Sequence, residues 1–412
     1  MRFFLRHAAR EITLLPAQNP GGEGANHLID GTSGLSAKIF RPPVPLDLGN
    51  RLEAMIQAPL PVLRGQLAWP KDIVEDARGK VVGYLQDYFG GDYVEMASAI
   101  TPVTRPAWAD AKELRRFAYD AALIMAELHS QSVLFPDFHP GQLLVSRRGP
   151  TVLIDAASCQ FNYQGILFGC QVAKPAYQPP HFVGVRNWAD TIKDRDVYSD
   201  DWSLGVSLFQ ITQGCDPFAG KFVGSGVGLN PRERAASGVF PFSSNCRDYL
   251  PPTHAEPYRF VKPELRALFE RCFVDGHKRE NRALRPTAQE WADTLFHLST
   301  LRDDPSKPPM TSRVPTTLKS QPILAAAKTK IRSLAKTAKP KLQSWGVTVF
   351  AACLLMAVVV LTSIDWTETA VGGSRAIDMA SSAETEQWNF KKPANVDPTV
   401  VIDKLRTRSK SE

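Results

Sequence analysis

Cysteine is sparse and unpatterned in this chain. Cys159, Cys170, Cys215, Cys246, Cys272 and Cys353 are scattered, with no C-x-x-C spacing and no neighbouring pair of histidines. That excludes a zinc site and a disulfide framework, and it predicts reduced thiols in a cytosolic domain. The stretch from Met1 to Arg10 has basic residues but no apolar core of signal-peptide length and no small-residue cleavage site. The chain is therefore expected to start in the cytosol. Internal repeats are lacking, which excludes repeat arrays. A dispersed basic face is lacking too. The net charge of +7 is matched by one cluster, Lys319, Lys328, Lys330, Arg332, Lys336, Lys339 and Lys341, and the rest is near neutral. Charge so localised implies no nucleic-acid partner.

What the sequence does contain is one long uncharged run, WGVTVFAACLLMAVVVLTSI, from Trp345 to Ile364. About 20 helical residues at 1.5 Å each cross a hydrocarbon core of about 30 Å, so 345–364 is expected to be a transmembrane helix. Trp345 and Trp366 suit the two interfaces, and the basic cluster before the span places residues 1–344 in the cytoplasm and 365–412 outside it, at a cell membrane. Between them, 303–344 is rich in Pro, Ser, Thr and Lys and reads as a juxtamembrane linker. Within it Leu324, Ala327, Ile331 and Leu334 share one helical face opposite lysines, a pattern suited to anionic lipid. The tail is short for a ligand site and is expected to serve protein contact, a homodimer included.

The first 302 residues read as globular and α+β. Leu35–Phe40 and Lys80–Leu85 have strand character, whereas Ala111–Ser130 repeats apolar residues at Leu114, Phe117, Ala118, Ala121, Met125 and Leu128. A small sheet-containing lobe over about 10–90 followed by a larger helical lobe over about 91–302 is the expected order. Gly21, Gly22 and Gly24 precede the strand SAKIF, in which Lys38 is an ammonium inside an apolar strand. A buried lysine needs anions, and nucleotide phosphate together with a helix carboxylate supplies them. Glu53, in the following helical stretch, is the candidate carboxylate. Downstream, VLFPDFHPGQLLV sets Asp137, His139 and Gln142 in a short loop, and TVLIDAAS ends an apolar strand at Asp155. Two carboxylates at the ends of adjacent buried strands are costly unless compensated, and a magnesium-bound triphosphate compensates them.

The ordered series resembles Hanks-type, eukaryotic-like Ser/Thr protein kinases, from roughly Leu14 to Leu301. Gly22 and Gly24 match the first two glycines of the family's G-x-G-x-x-G loop, and Lys38 in AKIF matches the lysine that grips the α and β phosphates. Asp137 matches the catalytic-loop aspartate and Asp155 the metal-binding aspartate of D-F-G. SDDWSLGV matches S-D-x-W-S-x-G, with Asp200 bracing the catalytic loop, and Arg285-Pro286-Thr287 matches a late helical landmark whose arginine forms an ion pair. LAWP at Leu67–Pro70, GYLQDYF and LID are similar to a divergent bacterial group often fused to helix-hairpin-helix modules, although no such signature occurs here.

The resemblance implies a two-lobed fold using ATP with Mg²⁺, or Mn²⁺. It implies nucleotide contacts by Gly22, Gly24, Lys38, Glu53, Gln86, Asp87 and Phe89, metal ligation by Asp155 and Gln142, and catalysis by Asp137 with Lys38. The implied activity is transfer of the γ-phosphate to a hydroxyl of a protein substrate by a membrane-anchored kinase. The rival expectation is a pseudokinase that binds nucleotide or scaffolds at the membrane. It rests on departures from the pattern: His27 for the third glycine, Phe135-Pro136-Asp137 for H-R-D, Gln142 for asparagine, Asp155-Ala156-Ala157 for D-F-G and His181 for the glutamate of A-P-E.

Overall fold

The computed structural model describes residues 2–18, 22–58, 65–253, 255, 258 and 261–300. The expected linker (303–344), transmembrane helix (345–364) and tail (365–412) lie outside the described residues, as does Gly21. Among the described residues, no helix is long and apolar enough to cross a membrane.

The architecture is mixed α+β. The chain opens with β1 (Phe3–Leu5), β2 (Arg10–Ile12), β3 (Leu14–Gln18), β4 (Gly24–Ile29) and β5 (Leu35–Phe40). Helix α1 (Leu48–Gln57), β6 (Asp72–Asp76) and β7 (Val81–Asp87) follow. These strands form one antiparallel sheet in the order β2-β1-β6-β7-β5-β4-β3. Side chains alternate across a strand, so β5 sends Ala37 into one apolar cluster with Leu5, Ile12, Ile29, Val74 and Leu85. Lys38 and Phe40 fall on the other side. There Phe40 packs with Leu48 and Leu52 of α1, Ile73 and Tyr84.

The close pairing of these strands explains two glycines. A Cβ at Gly24 would meet the Ile39 carbonyl oxygen at 2.3 Å, and one at Gly83 would meet the Lys38 carbonyl oxygen at 2.0 Å. Gly24 thus has a packing reason to be glycine in addition to any phosphate role, whereas Gly22 has open space around its Cα.

The second part begins with β8 (Val94–Glu95), α2 (Met96–Ile100) and α3 (Ala111–Ser130). Asp110 caps α3 by accepting the backbone N–H groups of Lys112 and Glu113. All six apolar positions expected along α3 are buried. Next come β9 (Leu143–Val145), β10 (Val152–Leu153) and the hairpin β11 (Phe161–Tyr163) with β12 (Ile166–Phe168). Helices α4 (Val197–Gln213), α5 (Pro231–Ala236), α6 (Pro263–Glu270) and α7 (Ala288–Thr300) complete this part. Helix α4 starts with a reciprocal Asp196–Ser199 capping box and is buried along most of its length. The largest apolar cluster joins Phe117 and Leu128 of α3, Trp202 and Phe209 of α4, Phe273, and Trp291 of α7. The LAWP segment ties the two parts together. The Ala68 N–H donates to the Leu153 carbonyl, and the Trp69 indole N–H donates to the Met55 carbonyl at the end of α1, 2.8 Å away.

Candidate active site

Lys38 and Asp155, 117 positions apart, meet at 2.5 Å from Nζ to Oδ1. Lys38 is 6% exposed, and its ammonium also lies 5.6 Å from the Phe40 ring centroid. Asp155 follows β10 directly and adopts left-handed backbone angles, φ 59° and ψ 36°. Few non-glycine residues hold that conformation, and aspartate is among the more tolerant. The turn sends the chain away from β10 and leaves the carboxylate at the strand end. Ala156, where D-F-G has phenylalanine, is fully buried in the core.

The loop before β9 is braced from three directions. Asp200 accepts the Phe135 N–H at 2.6 Å, Gln178 donates to the Pro136 carbonyl at 2.7 Å, and the Ile154 N–H donates to the Gln142 carbonyl at 2.9 Å. Asp137 therefore sits in a loop fixed at the residues before it and tied to the strand that carries Asp155. Burial raises the Asp137 carboxyl above the usual carboxylate range; the Gln142 amide and the Lys174 backbone N–H oppose the rise, while the charges of Glu23 and Asp155 add to it. The Gln142 amide nitrogen donates to Asp137 Oδ2 at 3.1 Å. That leaves its carbonyl oxygen as the atom able to ligate a hard cation beside a carboxylate.

The remaining expected contacts separate. Gln86 is 5% exposed and donates to Asn26 Oδ1 at 3.2 Å, while its own side-chain oxygen is buried with no hydrogen-bond partner among the described residues. An orphan acceptor on the strand leading into 87–89 fits a donor supplied by a bound base. Asp87 is paired with Lys71 at 2.5 Å, and Phe89 packs edge-on to Tyr93 with centroids 5.7 Å apart. Gly22 and Gly24 flank Glu23, whose charge is felt at Asp137.

Glu53 needs a correction. It does not pair with Lys38. Its carboxylate takes His7 Nε2 at 3.2 Å and Arg6 Nη1 at 3.8 Å at the partly exposed outer side of α1. The buried face of that helix is Leu48, Arg51, Leu52 and Met55, and position 53 is about 200° around the axis from position 51. Arg285, whose family partner glutamate is replaced by His181, makes no ion pair among the described residues. Its guanidinium donates to the carbonyls of Gly276 (2.8 Å) and Tyr198 (2.7 Å), and His181 stands nearby as a base held neutral, with its pKa lowered to about 4 by burial and by Arg285.

Comparison with known proteins bears on this arrangement. No family model matches the chain. It is 25% identical over 298 residues to "Protein kinase YegI" of Escherichia coli K12, covering 70% of this chain and 45% of that protein. The protein of the same name from Escherichia coli O157:H7 is 25% identical over 284 residues, covering 67% of this chain and 43% of the relative. Over a shorter stretch of 96 residues it is 34% identical to the serine/threonine-protein kinase stk11 of Xenopus laevis, covering 23% of this chain and 21% of that protein. The chain is protein-kinase-like. It spans less than half the length of the curated relatives that match most of it.

Within this kinase-like frame, two side chains gain a place that the sequence did not assign. His139 accepts the Gly141 N–H on Nδ1 at 3.0 Å, which leaves Nε2 as the protonated nitrogen, 3.9 Å from Asp137 Oδ2. Burial, then the charge of Lys174, lowers its pKa to about 4. A Cβ at Gly141 would meet the imidazole at 2.8 Å, so the Pro140-Gly141 pair was the signal of a close turn. The second is Arg51. Its signal was helical spacing: Leu48, Leu52 and Met55 define an apolar stripe on which Arg51 also lies.

Proposed function

We propose that this chain is a membrane-anchored Ser/Thr protein kinase. Its two-lobed cytoplasmic domain moves the γ-phosphoryl group of ATP to a hydroxyl of a protein substrate, and segment 345–364 anchors it. The observation that carries the reading is the Lys38–Asp155 contact beside the braced loop of Asp137 and Gln142. A compact ammonium paired with a carboxylate can exchange that partner for phosphate oxygens, which frees the carboxylate for a cation.

In this reading Lys38 grips nonreacting phosphates, and Gln86, Asp87 and Phe89 border the base. Asp137 accepts the proton of the attacking hydroxyl as the new P–O bond forms and the bond to the leaving ADP oxygen breaks. Burial favours that role, because a carboxylate pushed above its usual pKa is a stronger base. Asp155 and the Gln142 carbonyl oxygen are the groups that would hold Mg²⁺ or Mn²⁺, and the ion supplies neutralisation of the charge that builds on the phosphoryl oxygens. The donor set fits, since magnesium arriving with a nucleotide needs only one or two protein carboxylates. The basic segment before 345 is assigned to anionic lipid and the tail after 364 to protein contact, a homodimer included.

One observation favours a second reading, a pseudokinase that binds nucleotide without transfer. The Gln142 amide is bonded to the carboxylate that has to receive the proton. Transfer from γ-labelled ATP by the full chain, with Mg²⁺ or Mn²⁺ and generic protein acceptors, separates the two. Incorporation that Asp137→Asn abolishes while nucleotide still binds supports the kinase. Nucleotide binding with no incorporation by the wild type supports the pseudokinase.

A further inference from the structure

Arg51 is 7% exposed and makes no ion pair among the described residues. Its hydrogen bonds go to backbone carbonyls of a single distant segment. Nη1 donates to Ala157 at 3.2 Å and to Cys159 at 2.8 Å, and Nη2 donates to Gly169. The guanidinium carbon lies 6.0 Å from the Phe161 ring centroid and 5.9 Å from that of Phe168. These acceptors bracket the β11–β12 hairpin: Ala157 and Cys159 precede it, just after Asp155, and Gly169 follows it. A single side chain of α1 therefore closes both ends of the hairpin and holds its two stacked phenylalanines against the helix. A second tie runs in parallel, with the Tyr163 hydroxyl 3.2 Å from Gln57 Oε1 at the end of α1.

The chemistry suits arginine specifically. A guanidinium is planar, permanently charged and offers five donors in a fixed fork, so it can serve three carbonyls at once. Two of those carbonyls end the short helical turn 156–158, where unpaired C=O groups favour a cation. A lysine ammonium in its place can reach one or two of them and lacks the planar fork.

We propose that Arg51 is the positioning residue that couples helix α1 to the segment leaving Asp155, doing by carbonyl capture what a Lys38-directed helix carboxylate would do by ion pairing. The functional side of this inference rests on the kinase reading above; the structural side does not. With α1 docked through Arg51, Lys38 is left with Asp155 as its carboxylate partner, so the docking of the helix does not depend on how Lys38 is engaged.

The test uses the full chain, with Arg51→Lys and Arg51→Gln compared with wild type by amide hydrogen exchange and by phosphate transfer. Exchange over 157–169 is expected to rise at least about tenfold in both variants while α3 stays protected. The transfer kcat is expected to fall at least about tenfold with the KM for ATP within about threefold, the split that marks lost positioning rather than lost binding. Unchanged exchange over 157–169 overturns the proposal, as does faster exchange with a normal kcat in an active wild type. If the wild type transfers no phosphate, exchange alone decides whether Arg51 makes the coupling. If the Arg51 variants fail to fold, Tyr163→Phe loosens the same junction from the hairpin side. It is expected to speed exchange over 157–169 by about two- to fivefold, and no change there refutes a helix–hairpin junction.

Discussion

Lys38 in the sheet and Arg285 among the helices are both almost fully buried, at 6% and 1% exposure, and they are satisfied in opposite ways. Lys38 meets a carboxylate at 2.5 Å. Arg285 has two backbone carbonyls and lies 5.1 Å from the Trp202 ring centroid, while Nη2 makes no hydrogen bond among the described residues. Burial lowers its pKa to about 10, so it stays charged near neutrality. The contrast separates two uses of a buried cation. A pair of mobile side chains can be taken apart by an incoming anion and metal, whereas carbonyls fixed in the backbone cannot be exchanged for anything. In the proposed kinase, Lys38 serves the chemistry, and Arg285 and Arg51 serve the frame.

The comparison breaks most visibly at Lys38. Lys38→Ala is expected to reduce phosphate transfer by about 100-fold or more, as loss of a charge-stabilising group does, with the far-UV spectrum unchanged. Arg285→Met is expected to act on stability instead. It strands buried carbonyls, each costing about 1–3 kcal/mol, for a total loss of about 2–4 kcal/mol in denaturant unfolding. If Lys38→Ala unfolds the protein and Arg285→Met leaves it stable, the two uses have been assigned the wrong way round.

Titration gives a finer test. His139 and His181 are held neutral, with folded pKa values of about 4 against an ordinary 6.5. Their contribution is complete above 6.5 and is lost as pH falls toward 4. His129 and Asp201 have the opposite sign. Burial opposes charge on His129, but its hydrogen bond to Asp200 and the Asp200 and Asp201 charges outweigh it and raise the pKa above 6.5. Burial lifts Asp201 from 3.8 to about 8. Groups that hold protons more tightly when folded lose their stabilisation as pH rises, over the range from 3.8 to about 8 for Asp201 and above 6.5 for His129. Each variant is therefore expected to remove its own group's part of a plot of thermal midpoint against pH: His181→Asn the part lost as pH falls toward 4, and His129→Gln the part lost above 6.5. An acid limb unaltered by His181→Asn would show that this site titrates normally.

The smallest effect is expected at Glu53. Its partners Arg6 and His7 are partly exposed, and such surface pairs contribute about 0–1 kcal/mol. Glu53→Gln should leave transfer within about twofold of wild type. A loss comparable to that of Lys38→Ala would restore Glu53 as the lysine's partner.

Much of this was readable in the sequence where periodicity or a costly residue marks itself. The apolar repeat of α3 announces a helix and its buried face. Lys38 in an apolar strand and the aspartates ending apolar strands announce charges in need of partners. What was hidden was which charges meet. Glu53 was the carboxylate available in its helix, so ion-pair reasoning chose it, although the stripe of Leu48, Leu52 and Met55 puts Arg51 inside and Glu53 outside. Backbone carbonyls carry no letter in a sequence, which is why the cages around Arg51 and Arg285 were invisible until the chain was folded.

In the proposed kinase, Lys38, Asp155 and Asp137 form the phosphoryl-transfer site. That assignment is tested most directly by transfer from γ-labelled ATP with Mg²⁺ by the full chain and by its Asp155→Asn variant, with ATP binding followed in parallel. Incorporation by the wild type is expected and, in the variant, loss of incorporation together with loss of the Mg²⁺ dependence of binding. Equal incorporation by a folded variant, or none by a folded wild type that binds ATP, would contradict it.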